Sequence, residues 1–168
     1  GIGSLINSTE GVLFAEIAAL ANDGTFRILS LSNGSTTNRI LIYYSSDTNA
    51  IVYGITYNNS QSASFSYTLS DSTILNKVAV KWKVNDFAFW VNGTEVHTES
   101  SGNPPTGLNL LNFSNSTGAN NFFGKVKQLQ VYKTALTDNQ LIQLTGEAGT
   151  HFFESYAEMA EALTYTIQ

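Results

Sequence analysis

Three titratable side chains, Glu95, His97 and Glu99, lie close together in the chain. Alternate residues of a regular strand share a face, so this spacing predicts that all three point to the same side. Carboxylates and imidazoles serve in acid–base catalysis and as metal ligands. Glu95 and Glu99 would lie about 13 Å apart on a straight strand, whereas the paired carboxyls of a retaining glycosidase lie about 5 Å apart. Two alternatives stay open: a metal site completed by ligands from elsewhere, or exposed polar residues of a strand.

Catalytic motifs are otherwise missing from the sequence. It contains no G-x-S-x-G, and its second histidine, His151, stands alone before Phe152 and Phe153. Nucleophilic catalysis of the serine hydrolase type requires a nucleophile, a base and a group that orients the base. We therefore predict that the protein is not an enzyme.

Oxygen-rich loops are the second group of candidate residues. Calcium takes six to eight oxygen ligands from carboxylates, amides and backbone carbonyls. Asp23 and Asp47 stand in such loops, beside asparagine, serine and glycine, and are the predicted metal ligands. The alternative is turn chemistry alone, because aspartate, asparagine and glycine favour turns without any ligand.

Aromatic and amide side chains are the residues that a sugar-binding surface would use. Tyr44 follows Tyr43 directly, so on a strand one of the two faces the core and the other faces outward. We predict a ligand-binding set of Tyr44, Trp90, Asn58 and Asn120. For Tyr44 the alternative is packing in the core. For Trp90 it is covering the back of a sheet or a subunit contact.

The composition narrows the function classes. The chain of 168 residues has a net charge of −5, and only 12% of its residues are charged. No basic patch is dense enough to bind phosphates, which argues against nucleic-acid binding. No apolar run approaches the roughly 20 residues that span a bilayer. Cysteine is absent, which excludes disulfides and cysteine-based zinc sites.

Alternation of apolar and polar residues dominates up to about residue 133 and predicts an all-β protein. The clearest hairpin signal is Asn92-Gly93, between two apolar-rich stretches. By the same alternation, Trp82, Phe87 and Phe89 face the core, while Trp90 faces outward. The predicted strands end at turns spaced as in a sandwich or barrel.

The pattern changes near the C-terminus. Thr137 precedes Gln140 by three residues, which predicts a capping box, and Gly146 predicts the end of that helix. A second signature of this kind begins at Ser155. We predict a β-domain over residues 1–149 and a helical or extended appendage over residues 150–168. The appendage packs on the sandwich or contacts a second subunit or the parent protein.

Residues 77–136 resemble the second half of a laminin-G-like, or concanavalin A-like, jelly roll. The resemblance rests on two segments. The first is V-A-V-x-W at residues 78–82, with F-W-V-N-G at residues 89–93. The second runs from Gly124 through Tyr132 to A-L-T at residues 135–137. Residues 12–70 fit the family in strand spacing alone.

The resemblance implies a two-sheet antiparallel jelly-roll sandwich with short C-terminal helices. It also implies binding of carbohydrate, often with calcium, or of protein. The glucanase branch of the fold carries E-x-D-x-E or E-x-D-x-x-E on one strand, and this sequence has neither pattern. We therefore predict a non-catalytic carbohydrate-binding or adhesion module. Calcium is its candidate cofactor and a polysaccharide or cell-surface glycan its partner.

The style of the sequence, rich in asparagine, serine and threonine and free of cysteine, is similar to such domains in bacteriophage structural proteins and bacterial surface proteins. A location in a virion or at the cell surface is predicted on that resemblance. The alternative function is a structural protein–protein interaction domain of a homo-oligomeric fibre or capsid, with self-association through the C-terminal residues.

Overall fold

The computed structural model describes residues 2–147 and is mostly β-sheet. The strands are β1 (Glu10–Ala19), β2 (Arg27–Ser32), β3 (Arg39–Tyr44), β4 (Ala50–Tyr57), β5 (Ser60–Thr68), β6 (Asn76–Lys83), β7 (Phe87–Val91), β8 (Thr94–Glu99), β9 (Leu110–Asn112) and β10 (Gly124–Tyr132). A short 3-10 turn (Ile2–Leu5) precedes them, and helix α1 (Asp138–Thr145) follows. Each strand matches a stretch of predicted alternation. The predicted signature at Ser155 and the appendage over residues 150–168 lie outside the described residues.

The strands form two antiparallel five-stranded sheets, so the predicted sandwich is confirmed. The first sheet has the order β10-β1-β6-β7-β8, and the second has the order β5-β4-β3-β2-β9. β1 is central in the first sheet and pairs with β10 on one side and β6 on the other. In the part of the chain that the structure describes, no helix is long and apolar enough to cross a membrane.

The main core lies between the inner faces of the two sheets and is built by alternation. From the first sheet, Trp82, Phe87 and Phe89 are buried in it, as predicted. From the second sheet, Ile42 and Tyr53 are buried opposite them. The indole Nε1 of Trp82 donates to the carbonyl of Asn7 at 3.1 Å, so its one polar group is satisfied.

A second, smaller core covers the outer face of the first sheet. Helix α1 lies there, and its Leu141 packs with Val12, Phe14 and Trp90. The predicted capping box is confirmed, because the Thr137 hydroxyl accepts from the amide of Gln140, whose side chain accepts from the amide of Thr137. The helix ends at Gly146, as predicted.

Candidate functional site

Tyr44 faces the core, and the prediction that it is an outward ligand platform is wrong. It is 3% exposed, and its hydroxyl donates to the carbonyl of Ile17 at 3.1 Å. The core residues Ile40 and Ile42 share its face of β3, so alternation turns Tyr44 inward with them. Tyr43 therefore takes the outward position.

Trp90 points away from the main core, as alternation predicts, but it does not reach solvent. It is 4% exposed because α1 packs over it through Leu141. Its indole Nε1 is buried without a hydrogen-bond partner among the described residues. The prediction of a ligand platform is corrected to the alternative role, in which Trp90 covers the back of the sheet.

The three titratable side chains of β8, Glu95, His97 and Glu99, do not all lie on one face of the first sheet. A bulge interrupts the pairing of β7 with β8, so Glu95 lies opposite Trp90 while His97 lies opposite Phe89. Glu95 therefore belongs to the outer face and His97 to the inner face, and the prediction of a shared face is wrong. A β-bulge inserts one residue and shifts the alternation by one, which a count of residues cannot detect.

His97 serves as a link between the two sheets. Its Nδ1 lies 2.9 Å from the hydroxyl of Tyr53, and its ring stacks on Phe65 with centroids 4.6 Å apart. Tyr53 and Phe65 belong to the second sheet, so this contact joins the sheets near the β5 and β8 edges. Within residues 2–147, no three histidine, cysteine, aspartate or glutamate side chains are grouped so as to hold a metal ion.

Tyr44 and Tyr53 make the stability of the fold sensitive to alkaline pH. Burial raises the pKa of both hydroxyls above their ordinary value, which is about 10. An unfolded chain therefore releases these protons before the folded chain does. Their contribution to the free energy of unfolding is complete below about pH 10 and is lost as the pH rises above it.

We expect the urea midpoint to fall between about pH 9 and pH 11. The fall should be smaller in Tyr44→Phe and smaller still in the variant that also carries Tyr53→Phe. Parallel pH profiles for the wild type and the double variant would show that other groups control the alkaline transition.

The predicted metal ligands come from two loops that the fold brings together. The amide of Asn49 donates to the side chain of Asn22 at 3.0 Å, which joins the Asp23 loop to the Asp47 loop. However, both carboxylate oxygens of Asp23 accept from the guanidinium of Arg27 at 2.9 Å. This pairing lowers the pKa of Asp23.

The donor set at these loops does not fit calcium. The ion needs several oxygen ligands with free lone pairs, and Asp23 is occupied by a nearly buried arginine. Asp47 is exposed, and its carbonyl accepts from the amide of Ala50. In the described structure these residues form a turn and an ion pair.

The two predicted asparagines are exposed at turns. Asn58 has a φ of 46° in the β4–β5 turn and exchanges two hydrogen bonds of 3.3 Å with Asn38. Asn120 has a φ of 53°, and its carbonyl accepts from the amide of Ile28 at 3.2 Å. Asparagine adopts positive φ more readily than most residues. Asn58 and Asn120 lie at opposite ends of the second sheet, so they do not form one cluster.

The outer face of the second sheet holds the grouping that best suits a ligand. Arg39, Leu41 and Tyr43 share this face of β3, because the residues between them are buried in the main core. Gly54 lies opposite Leu41, and a Cβ added to it would meet no atom within 4 Å. The space over Gly54 on this face is therefore open. Arg39 and Tyr43 lie on the same face, about 13 Å apart on the strand.

The loop of residues 113–121 is held against the outer face of β2, the strand beside β3. The hydroxyl of Ser30 donates to the carbonyl of Ser114 at 2.8 Å, and Ile28 is tied to Asn120 as described above. Ser30 and Ile28 occupy the outer face of β2, next to β3. Because Ser30 pairs with Leu41 and Ile28 pairs with Tyr43, the loop lies along that side of β3, with Asn120 at the Tyr43 end.

An aromatic pair stands at that end. The rings of Phe26 and Tyr43 stack at a centroid distance of 6.1 Å, and Phe26 is 40% exposed. Burial raises the pKa of Tyr43, and the positive charge of Arg39 opposes this shift. A paired aromatic surface of this kind suits the apolar face of a sugar ring, and the tyrosine hydroxyl supplies a hydrogen bond beside it.

Arg39 stands at the other end of this face and is half-buried. Its Nε is buried without a hydrogen-bond partner, and none of the ion pairs within residues 2–147 involves it. The planar guanidinium donates two parallel hydrogen bonds to a carboxylate. Ser64, opposite Gly54 on β5, adds a neutral polar group to the same face.

Arg39 and Tyr43 are the residues that sequence reasoning missed. The sequence pattern that could have found them is alternation, because Arg39 and Tyr43 alternate along β3 with the apolar residues Ile40 and Ile42. The choice between Tyr43 and Tyr44 depended on which residues of β3 face the core. Once Ile40 and Ile42 are assigned to the core, alternation places both Tyr43 and Arg39 on the outer face.

Two clefts lie elsewhere on the surface. One, of about 290 Å³, is lined by Leu5, Ile6, Leu111, Val131 and Lys133. The other, of about 320 Å³, opens beside α1 and is lined by Tyr132, Leu136, Gln140, Gln143 and Leu144. Neither contains a predicted ligand residue.

Comparison with known families and structures identifies the fold. The model of the concanavalin A-like lectin/glucanases superfamily matches residues 13–142. No curated protein sequence matches the chain.

Among solved structures, the chain is similar to the CBM40 domain of the Ruminococcus gnavus IT-sialidase, with a TM-score of 0.68, 18% identity and 86% of each chain covered. That domain has also been solved bound to α2,3- and α2,6-sialyllactose.

The leech intramolecular trans-sialidase matches with a TM-score of 0.67 and 19% identity, over 90% of this chain and 25% of its own. The heptameric SAP-like pentraxin of Limulus polyphemus matches with a TM-score of 0.64 and 18% identity, over 86% of this chain and 73% of its own. At these identities the similarity establishes the fold alone. The chain spans a quarter of the length of the trans-sialidase.

Proposed function

Because the chain belongs to the concanavalin A-like lectin/glucanase superfamily, we propose that it is a non-catalytic carbohydrate-binding module whose site is the outer face of the second sheet. The observation that carries the proposal is Arg39, which has no ion-pair partner among the described residues, on the same face as the open space over Gly54. The Phe26–Tyr43 pair at the other end supplies the aromatic contact that sugar rings require.

Arg39 defines the class of glycan, which is one that carries a carboxylate. The chain has a net charge of −5, so its overall field repels an anionic glycan, and a local cation must overcome that repulsion. A neutral sugar can accept hydrogen bonds from the guanidinium but would leave its positive charge uncompensated when it covers the face. The sialyllactose complexes of the R. gnavus CBM40 domain, which shares the fold, support the same class.

A non-catalytic role is supported by the distribution of carboxylates. Glu95 and Glu99 lie on opposite faces of the first sheet, and no acidic side chain stands among the outward residues of β3 and β4. Arg39, Tyr43 and serine hydroxyls can bind a glycan but provide no acid–base pair to cleave it.

A glycan array with matched pairs tests the proposal. The protein should retain sialylated glycans and fail to retain the same glycans after removal of the sialic acid. Binding should be equal in calcium and in a chelator, because Asp23 is paired with Arg27. Retention of no glycan in either condition would contradict a carbohydrate-binding role, and loss of binding in the chelator would restore the calcium prediction.

Display in many copies would strengthen such a site, because avidity multiplies weak contacts. The predicted location on a virion or cell surface would provide that display, and it stays a prediction.

A further inference from the structure

An exposed apolar patch at one end of the first sheet lies outside the proposed sugar-binding face, which is the outer face of the second sheet. Its members are Leu20, Ile74, Leu75 and Phe123, which we call the end patch, and they are 70%, 53%, 41% and 58% exposed. Single exposed apolar residues are ordinary on protein surfaces, but a contiguous group of large ones marks a contact site.

The end patch crosses the ends of three neighbouring strands. Leu20 follows β1, Phe123 precedes β10 and Leu75 precedes β6, and the order of these strands in the sheet is β10-β1-β6. The amide of Leu20 donates to the carbonyl of Phe123 at 3.1 Å, and the amide of Ala19 donates to the carbonyl of Ser72 at 2.8 Å. The second bond holds the turn before β6 beside the end of β1. The patch is therefore one surface with Leu20 in its middle.

Residues of opposite charge stand on the two sides of Leu20. Lys125, the second residue of β10, is exposed on the β10 side. Asp71 is partly exposed on the β6 side, where the side chain of Asn76 donates to its carbonyl at 3.0 Å and to the carbonyl of Ile74 at 2.9 Å. The ion pairs within residues 2–147 include neither Lys125 nor Asp71. The patch therefore has a base on one side and an acid on the other.

This arrangement is complementary to itself. In a two-fold symmetric contact the same surface of both molecules takes part, so a residue on one side of the axis meets a residue from the other side of the second molecule. With the axis near Leu20, Phe123 of each molecule lies opposite Leu75 of the other. Lys125 of each molecule then lies opposite Asp71 of the other, and every dimer contains this charge pair twice.

We propose that the end patch is the contact between two copies of this chain in a symmetric dimer. Apolar side chains are removed from water at the centre of the contact, and opposite charges pair at its rim, which is the common anatomy of protein interfaces. Any other partner needs an acid and a base in matching places, whereas a second copy provides both by symmetry.

The contact also fixes how the two sugar-binding faces lie in the dimer. The side chain of Asn49, in the turn between β3 and β4, accepts from the amide of Ser72 at 3.0 Å, and Tyr43 stands at the same end of β3. The end patch and the Phe26–Tyr43 pair therefore lie at one end of the sandwich. The dimer brings the Tyr43 ends of its two faces toward each other and offers two glycan sites in one particle.

Sedimentation equilibrium of the full chain tests the proposal. The mass should rise with concentration from that of one chain toward that of two. Leu20→Asp should weaken the association at least about tenfold, because it places a carboxylate in the apolar centre, opposite its own copy. Val84→Asp is the matched control, since Val84 is 52% exposed and follows the opposite end of β6. The control should leave the association unchanged, and both variants should keep the urea midpoint of the wild type.

Exchange of the charges tests the symmetry of the contact. Lys125→Glu and Asp71→Lys should each weaken the dimer severalfold, because like charges replace both attractive pairs. An equimolar mixture of the two variants should recover the association of the wild type, since each pair of the mixed dimer then joins one acid to one base.

The mass of a single chain at every concentration would overturn the proposal. A dimer that Leu20→Asp leaves intact, or that Val84→Asp weakens equally, would also overturn it, because the contact would lie elsewhere. Failure of the mixed variants to associate better than either one alone would contradict the two-fold arrangement. None of these measurements uses a glycan, so their failure leaves the carbohydrate-binding proposal standing.

Discussion

Replacing Arg39 by glutamine should weaken binding of a sialylated glycan by about 10- to 100-fold. Glutamine keeps much of the length and polarity of the side chain but removes the charge. A hydrogen bond to a charged group contributes about 1.5–3 kcal/mol, and each 1.4 kcal/mol corresponds to about tenfold in affinity. Arg39→Lys should recover part of the loss, because lysine restores the charge without the bidentate geometry.

The measurement is a titration of sialyllactose followed by calorimetry or by chemical shifts. Lys83→Gln is the matched control, since it removes one positive charge from an exposed residue at the end of β6, in the other sheet. The control should leave the affinity unchanged apart from a small, salt-dependent term. If Arg39→Gln and Lys83→Gln weaken binding equally, general electrostatics rather than a site at Arg39 governs recognition. Unfolding curves should coincide for all three variants.

Among the glycines that lack a positive φ, Gly11 should be one of the two that tolerate replacement by alanine least. Gly124 is the other. A Cβ at residue 11 would lie 2.4 Å from Cζ2 of Trp82 and 2.5 Å from the carbonyl oxygen of Tyr132. Trp82 is completely buried, and Tyr132 belongs to the paired strand β10. Neither atom can move without disturbing the sheet or the core.

Overpacking of this kind costs about 1–3 kcal/mol and occasionally more, out of a typical total of about 5–15 kcal/mol. The urea midpoint should fall accordingly. Gly54→Ala is the matched control, because its new Cβ meets nothing within 4 Å, and its midpoint should stay the same or rise slightly. Equal midpoints for the two variants would contradict the prediction. They would show that β1 and β10 move apart to admit the methyl group without a loss of stability.

The strands and the sandwich could be predicted from the sequence because alternation determines both. Trp82, Phe87 and Phe89 are examples, since each shares its phase with neighbouring apolar residues and each is buried. The capping box at Thr137 was equally local, because all its atoms lie within one helical turn. Alternation and capping patterns, which involve only residues close in sequence, therefore predicted the secondary-structure elements and the inward face of most strands.

The candidate site was harder to predict because it depends on contacts between distant residues. Alternation correctly places Trp90 on the outer face of the first sheet. Its burial depends on α1, which is distant in sequence and packs over that face. Glu95 lies on the opposite face from the one predicted because of a β-bulge, and no residue type in the sequence indicates that bulge. Tyr44 and Asp23 were chosen for their chemistry, and the Ile17 carbonyl and Arg27 already occupy their polar groups.

The central position of β1 also bears on how the chain folds. β1 is buried along almost its whole length, yet one of its two partners is the last strand, and Val12 pairs with Tyr132. Closing so long a loop is slow, and folds dominated by such contacts fold in milliseconds to seconds rather than microseconds. During synthesis, an apolar strand with an unpaired edge would remain uncovered until β10 has left the ribosome, which makes the growing chain a substrate for chaperones.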